Sequence, residues 1–163
     1  MSGLDREVGL HPDLAPFAFL LGMWVGEGGG VYPTIQPFGY GEEVVFTHVG
    51  KPFLAYRQRT WALDDDRPLH GEAGFWRARE GGRLELVLAL STGHVEIGDG
   101  AVHGHRITIQ STSVVGAPSS KRVDAVRRVF EVDGDTLRYS LDMAASGEPM
   151  QRHLDAALAR RDG

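Results

Sequence analysis

The sequence predicts an all-β fold, an antiparallel up-and-down sandwich or barrel of about nine or ten strands. Three observations point there. Short segments with period-2 alternation follow one another at close spacing from Gly22 onward. Turn signals sit between them, as at Asp64-Asp65-Asp66, Glu80-Gly81-Gly82, Gly98-Asp99-Gly100 and Asp133-Gly134-Asp135. No strand-helix-strand alternation appears, which argues against a doubly wound α/β arrangement. With helical patterns confined to the two ends, a closed barrel carrying short terminal helices is the economical picture.

Residues 1–12 read as a flexible N-terminus, and 13–163 as a single domain. Pro12-Asp13 offers a helix start with Asp13 as N-cap, and Leu14 to Leu21 reads as a short helix ending at Gly22. Pro16 falls early in it, where a missing N–H costs little. The first strand opens on Gly22-Met23-Trp24-Val25-Gly26-Glu27-Gly28. Glycines in a strand mark a bend or a close backbone approach, and Trp24 would plug a barrel end. Tyr32-Pro33-Thr34-Ile35-Gln36-Pro37-Phe38 is stiffened by two prolines. It suits a rigid crossover as well as a mouth loop whose Thr34 touches a ligand.

The later strands are read from their stripes: Val44 and Phe46; Leu54 to Trp61; Leu84, Leu86, Leu88 and Leu90; Ile107 and Ile109; Val126, Arg128 and Phe130; and Leu137, Tyr139, Leu141 and Met143. Glu42 and Glu43 fall on opposite faces of one strand and cannot act as a carboxylate pair. The loop from Val115 to Lys121 is expected to be exposed and mobile. The segment Glu148 to Leu158 reads as a C-terminal helix that places Met150, His153, Leu154, Ala157 and Leu158 on one face. His153 would then point inward among apolar side chains. A neutral imidazole so placed can serve as an axial ligand of haem iron, or be an ordinary core histidine bonded to a carbonyl.

Composition narrows the function. The 163 residues carry a formal charge of -5 and no basic block, which argues against nucleic-acid binding. The absence of cysteine removes disulfides, thiolate catalysis, Fe–S clusters and cysteine-ligated zinc, and fits a reducing cytoplasm. The longest apolar run, Leu14 to Val25, is broken by Pro16 and Gly22 and is too short to span a membrane. Of the seven histidines, His103 and His105 alternate in one predicted strand without a third ligand nearby, so zinc finds no site. His11, His48, His70 and His94 read as polar surface or satisfied residues. Ser91-Thr92-Gly93-His94 lacks the setting of a nucleophile elbow.

An ordered set of motifs resembles the nitrobindins. Gly22-x-Trp24-x-Gly26-Glu27-Gly28 matches their Gly-x-Trp-x-Gly-x-Gly motif. Tyr32-Pro33-Thr34-Ile35, Tyr40-x-Glu42-Glu43-Val44, His48-x-Gly50-Lys51-Pro52, Leu69-His70-x-Glu72-x-Gly74, Ser91-Thr92-Gly93 and Met150-Gln151-x-His153-Leu154 follow in the family's order, covering residues 14 to 160. Nitrobindins are ten-stranded antiparallel barrels, similar to fatty-acid-binding proteins and lipocalins, that bind haem b. They bind nitric oxide and convert peroxynitrite to nitrate. The resemblance therefore implies a cytoplasmic haem-dependent peroxynitrite isomerase. His153 would be the axial ligand and the residue on which the chemistry depends. Thr34 and Lys121 would contact the haem, with His70 and Met143 beside the pocket. It leaves open a nitric-oxide sensor or haem carrier, an apo barrel for a fatty acid, and a homodimer.

Overall fold

The computed structural model describes residues 8–161. The predicted flexible N-terminus, residues 1–12, thus lies largely outside the described residues. The chain forms ten antiparallel strands: β1 (Gly22–Tyr32), β2 (Ile35–Thr47), β3 (Phe53–Ala62), β4 (Pro68–Arg79), β5 (Arg83–Leu90), β6 (His94–His103), β7 (Arg106–Gly116), β8 (Val123–Asp133), β9 (Thr136–Ala145) and β10 (Gln151–Arg161). Each strand pairs with its sequence neighbours, and β1 pairs with β10 to close the barrel. Closure leaves no free sheet edge. No helix among the described residues is long and apolar enough to cross a membrane.

Alternation along the strands decides what is inside. Leu54, Tyr56, Gln58, Thr60 and Ala62 of β3 are buried, as are Leu84, Leu86 and Leu88 of β5. Phe46, Tyr56, Trp76 and Phe130 meet in the middle at ring-centroid separations of 4.9 to 5.7 Å, and this aromatic layer packs the waist of the barrel.

One end is closed. A 3₁₀ helix, Pro12–Leu20, buries Leu14, Phe17 and Leu20. It begins two residues before the predicted Leu14. The N-cap is His11, whose ring accepts from the Asp13 N–H, so Asp13 lies inside the helix instead of capping it. Trp24 is fully buried beneath this helix, donates from Nε1 to the Leu20 carbonyl at 2.9 Å, and carries the Arg160 guanidinium 4.1 Å from its ring centroid. It plugs this end of the barrel. The β1 glycines permit close approach: a Cβ at Gly28 would sit 2.6 Å from the Tyr40 ring and 2.7 Å from the Ala156 Cβ.

Three elements differ from expectation: Gly98-Asp99-Gly100, read as a turn, lies inside β6 and pairs with Leu86, Glu85 and Leu84 of β5. The C-terminal segment is a strand, not a helix. Leu154, Ala156 and Leu158 pair with Gly30, Gly28 and Gly26 of β1, and Ala156 and Leu158 are buried while Ala157 is exposed. The same residues satisfy a period of 3.6 locally. The unpaired backbones of β1 and β9 select the period of 2, a tertiary demand that overrides the helix propensity of alanine. His103 and His105 do not share a strand. His103 ends β6, Gly104 turns at φ +63°, and His105 lies in the hairpin before β7.

Candidate functional site

The end opposite Trp24 opens into a cavity of about 800 Å³ running into the barrel. Its rim comes from the end of β1, the starts of β4, β8 and β10, and the loop between β7 and β8. Thr34, His70, Lys121, Met143 and His153, far apart in sequence, all line this one space. Gly22, Trp24, Gly26 and Gly28 do not; they shape β1 and the closed end.

His153 reaches the cavity by a device that a helix would not need. Leu154, Ala156 and Leu158 face inward, so plain alternation would turn His153 to solvent. The register between β10 and β9 shifts between Arg152 and Leu154: Arg152 opposes Asp142 and Leu154 opposes Leu141, with His153 the extra residue. Such a bulge re-aims one side chain, and both His153 and Leu154 line the cavity. The β1–β10 ladder ends at Gly30 and Leu154, and the next carbonyl of β1, that of Val31, lies 3.0 Å from His153 Nδ1. A carbonyl only accepts, so Nδ1 carries the proton and Nε2 keeps its lone pair. Tyr32 meets the ring edge-on at 5.4 Å. Its hydroxyl accepts from the Ala145 N–H at 2.9 Å, tying β1 to the end of β9. Burial pushes the His153 pKa down, against the opposing pull of the Val31 carbonyl, and holds the ring neutral.

Thr34 sits exposed in the turn between β1 and β2. Met143, half-buried, continues the inward stripe of β9. His70 on β4 lies 3.2 Å from Glu72 Oε2 through Nε2. Lys121 is exposed in the β7–β8 loop and forms no ion pair among the described residues. The other exposed cations of the cavity are occupied: Arg67 lies 3.2 and 2.9 Å from Asp64 and Asp65, and Arg122 lies 2.8 Å from Asp124. His94, read from sequence as a polar surface or satisfied residue, is of the second kind: it is buried and doubly bonded. Thr92 Oγ1 lies 2.8 Å from its Nδ1, and its Nε2 donates to the Lys121 carbonyl at 2.7 Å.

The inner wall holds a charged network that sequence reasoning missed. Arg128 of β8, 4% exposed, bonds Glu72 of β4 at 2.7 Å and Glu96 of β6 at 3.0 Å. Tyr56 donates to Glu72 Oε1 at 2.8 Å. Burial alone would raise the Glu72 carboxyl; Arg128 and His70 beside it outweigh burial and hold it well below the usual carboxylate range. Glu42 of β2 accepts from Gln58 Nε2 at 3.1 Å through one oxygen, while its other oxygen, also buried, has no hydrogen-bond partner among the described residues. Burial pushes the Glu42 pKa up to about 7. The signal was present: Glu42 and Arg128 share the inward parity of Val44 and Phe130, so each polar residue interrupts a core stripe.

Residues 13–160 match the family model of the THAP4-like, heme-binding beta-barrel domain. The chain belongs to this family. It is 55% identical over 156 residues to Peroxynitrite isomerase 1 of Mycolicibacterium paratuberculosis, covering 93% of this chain and 97% of that protein. It is 49% identical over 157 residues to Peroxynitrite isomerase of Nocardia farcinica, covering 94% of each. The crystal structure of Rv2717c from M. tuberculosis superimposes with a TM-score of 0.89 at 48% identity, over 94% of this chain and all of that one.

The residues of the cavity fit a haem. The bulge presents one neutral imidazole with a free Nε2, Leu141, Met143 and Leu154 offer apolar walls, and Lys121 leaves a free ammonium at the rim.

Proposed function

We propose that this barrel holds one ferric haem b through His153 Nε2 and isomerises peroxynitrite to nitrate, binding nitric oxide at the same centre. The observation that carries the reading is the bulge at His153, which spends a ladder position to turn one imidazole inward with its other nitrogen fixed on the Val31 carbonyl. The relatives named peroxynitrite isomerase supply the reaction class. When bound, haem supplies an iron with a coordination position for the nitrogen-oxide ligand.

The residues of the chain do the rest. His153 is held in one tautomer and one orientation, so no imidazole reorganisation accompanies ligation. The apolar walls would exclude water from a bound haem, and Thr34 and Lys121 at the mouth would help to hold it. His70 stands on the cavity wall with its ring fixed by Glu72, whose ionised carboxylate is itself fixed by Arg128 and Tyr56.

Titration with ferric haem should give a Soret band that shifts on adding nitric oxide. Stopped-flow mixing with peroxynitrite should show faster decay with the haem-loaded protein than with the same concentration of free haem, and nitrate as the product. Haem binding with no acceleration beyond free haem would leave a carrier or sensor; no Soret complex at all would leave a barrel for another apolar ligand.

A further inference from the structure

Building on the haem reading, we propose that His94 is a positioning residue for the cofactor. Its bond to the Lys121 carbonyl holds the Lys121 ammonium at the barrel mouth to take the carboxylate edge of the tetrapyrrole.

Two features of the cavity set the orientation of an amphipathic acid within it. The inner wall carries Glu42, Glu72 and Glu96 against the single guanidinium of Arg128. Carboxylates pushed to that depth would face like charge in a poorly solvated space. The mouth carries three exposed cations, and Lys121 alone among them has no carboxylate partner among the described residues. An ionised edge is therefore turned outward, onto Lys121.

Lys121 belongs to a loop, and a lysine on a free loop would be a poor anchor. This loop is latched. The β5–β6 turn, with Gly93 at φ +88°, receives the Ala117 N–H on the Gly93 carbonyl at 2.8 Å. Ser120 Oγ lies 3.0 Å from both the Thr92 and Gly93 carbonyls. His94 then closes the latch on the backbone of Lys121 itself. A carbonyl can only accept, so Nε2 is the protonated nitrogen and Nδ1 takes the Thr92 hydroxyl proton. His94 is 7% exposed, with both ring nitrogens engaged, so it is not free to ligate iron. Its inward place on β6, one residue from the turn, is explained by the loop it holds.

The test compares ferric haem with its dimethyl ester, which has the same ring and iron but no carboxylates. Each is titrated by Soret absorbance into wild type, Lys121→Met, His94→Leu, His94→Gln and the Lys121→Met/His94→Leu double variant. Wild type should bind haem about tenfold more tightly than the ester, the size of one charge-assisted contact at a partly exposed site. Lys121→Met and His94→Leu should both reduce that ratio to about twofold, and the double variant should reduce it no further. His94→Gln, which can offer a donor to the carbonyl and an acceptor to Thr92, should keep most of it. Thr92→Val, which frees Nδ1, gives the same readout should His94→Leu fail to fold, and should lower the ratio.

A wild-type ratio in His94→Leu or Thr92→Val beside a lowered one in Lys121→Met overturns the proposal. So does an equal loss of haem and ester affinity in His94→Leu, which marks general loosening of the barrel. An unchanged ratio in Lys121→Met overturns the carboxylate contact. If wild type forms no Soret complex with either compound, the haem reading itself fails.

Discussion

Glu42→Gln should change how the stability of the haem-free barrel depends on pH. Burial raises the Glu42 pKa from 4.5 to about 7 in the folded protein. A carboxyl with a raised folded pKa favours the folded state while it stays protonated. As pH climbs from about 4.5, unfolded chains release the proton and folded ones keep it, so stability falls until pH passes about 7 and then levels off. Each pH unit inside that window is worth about 1.4 kcal/mol, so the wild type should lose roughly 2–3 kcal/mol between pH 5 and pH 8 through this residue alone. Gln58 can still be satisfied by the neutral amide of the variant, which does not titrate. Urea unfolding of both proteins at four pH values between 5 and 8 measures the effect as a difference, which cancels what the other groups contribute. The stability of Glu42→Gln relative to wild type should rise from pH 5 and level off above about pH 7. Parallel curves would show that Glu42 keeps an ordinary pKa and that its second oxygen is solvated, which would refute the account of the inner wall as a dry floor.

Replacing His153 by Ala should weaken haem binding by about 100-fold or more, because the β10 bulge aims this imidazole into the cavity with Nδ1 held on the Val31 carbonyl and Nε2 left free; Soret titration measures it, and retained affinity would move the ligand elsewhere. His70→Ala should leave haem bound, and complete loss of the Soret band in that variant would show the two histidines to be exchanged in role. Arg128→Met strands the buried carboxylates of Glu72 and Glu96 and should cost about 3–5 kcal/mol in urea unfolding. Trp24→Phe removes the 2.9 Å bond to the Leu20 carbonyl and should cost about 1–3 kcal/mol by the same measurement, with haem affinity little changed because Trp24 lies at the closed end.

The barrel was legible because β-strands write their burial into alternate positions. The stripes from Leu84 to Leu90 and from Leu137 to Met143 are strands whose inward residues were named from sequence. The C-terminal strand was not legible in the same way. Met150, His153, Leu154, Ala157 and Leu158 fit a helical face as well as Leu154, Ala156 and Leu158 fit a strand face. Only the unpaired edge of β1, more than a hundred residues away, decides between them. His153 was picked out for an inward aim that the helix supplied and the strand does not; the inward aim is real and comes from a bulge, which leaves no mark in local periodicity. Glu42, Glu72, Glu96 and Arg128 were passed over for a different reason. A charged residue at an inward position reads as a break in the stripe until its partners are known, and those partners sit on four different strands.

The two kinds of buried polar group in this barrel answer to different demands. Arg128 with Glu72 and Glu96 is nearly self-sufficient: the guanidinium donates to both carboxylates, and Tyr56 and His70 take up further oxygen capacity on Glu72. Such a cluster contributes little net stability over an apolar core of equal volume, since desolvation of the charges offsets their attraction. What it does provide is a fixed wall. Glu72 cannot move without stranding Arg128, so His70 is held at one place on the cavity surface. The bulge at His153 imposes a second fixed point, since its imidazole is tied to a carbonyl that the β1–β10 ladder leaves free. The Lys121 loop, latched through His94, is the third. A cavity of this size lined only by leucine would accept a flat ligand in many poses. Three separately anchored polar groups on the walls and rim, each locked by hydrogen bonds to its own neighbours, reduce those poses toward one, and that selection is what the buried charges and the broken ladder give in return for their cost.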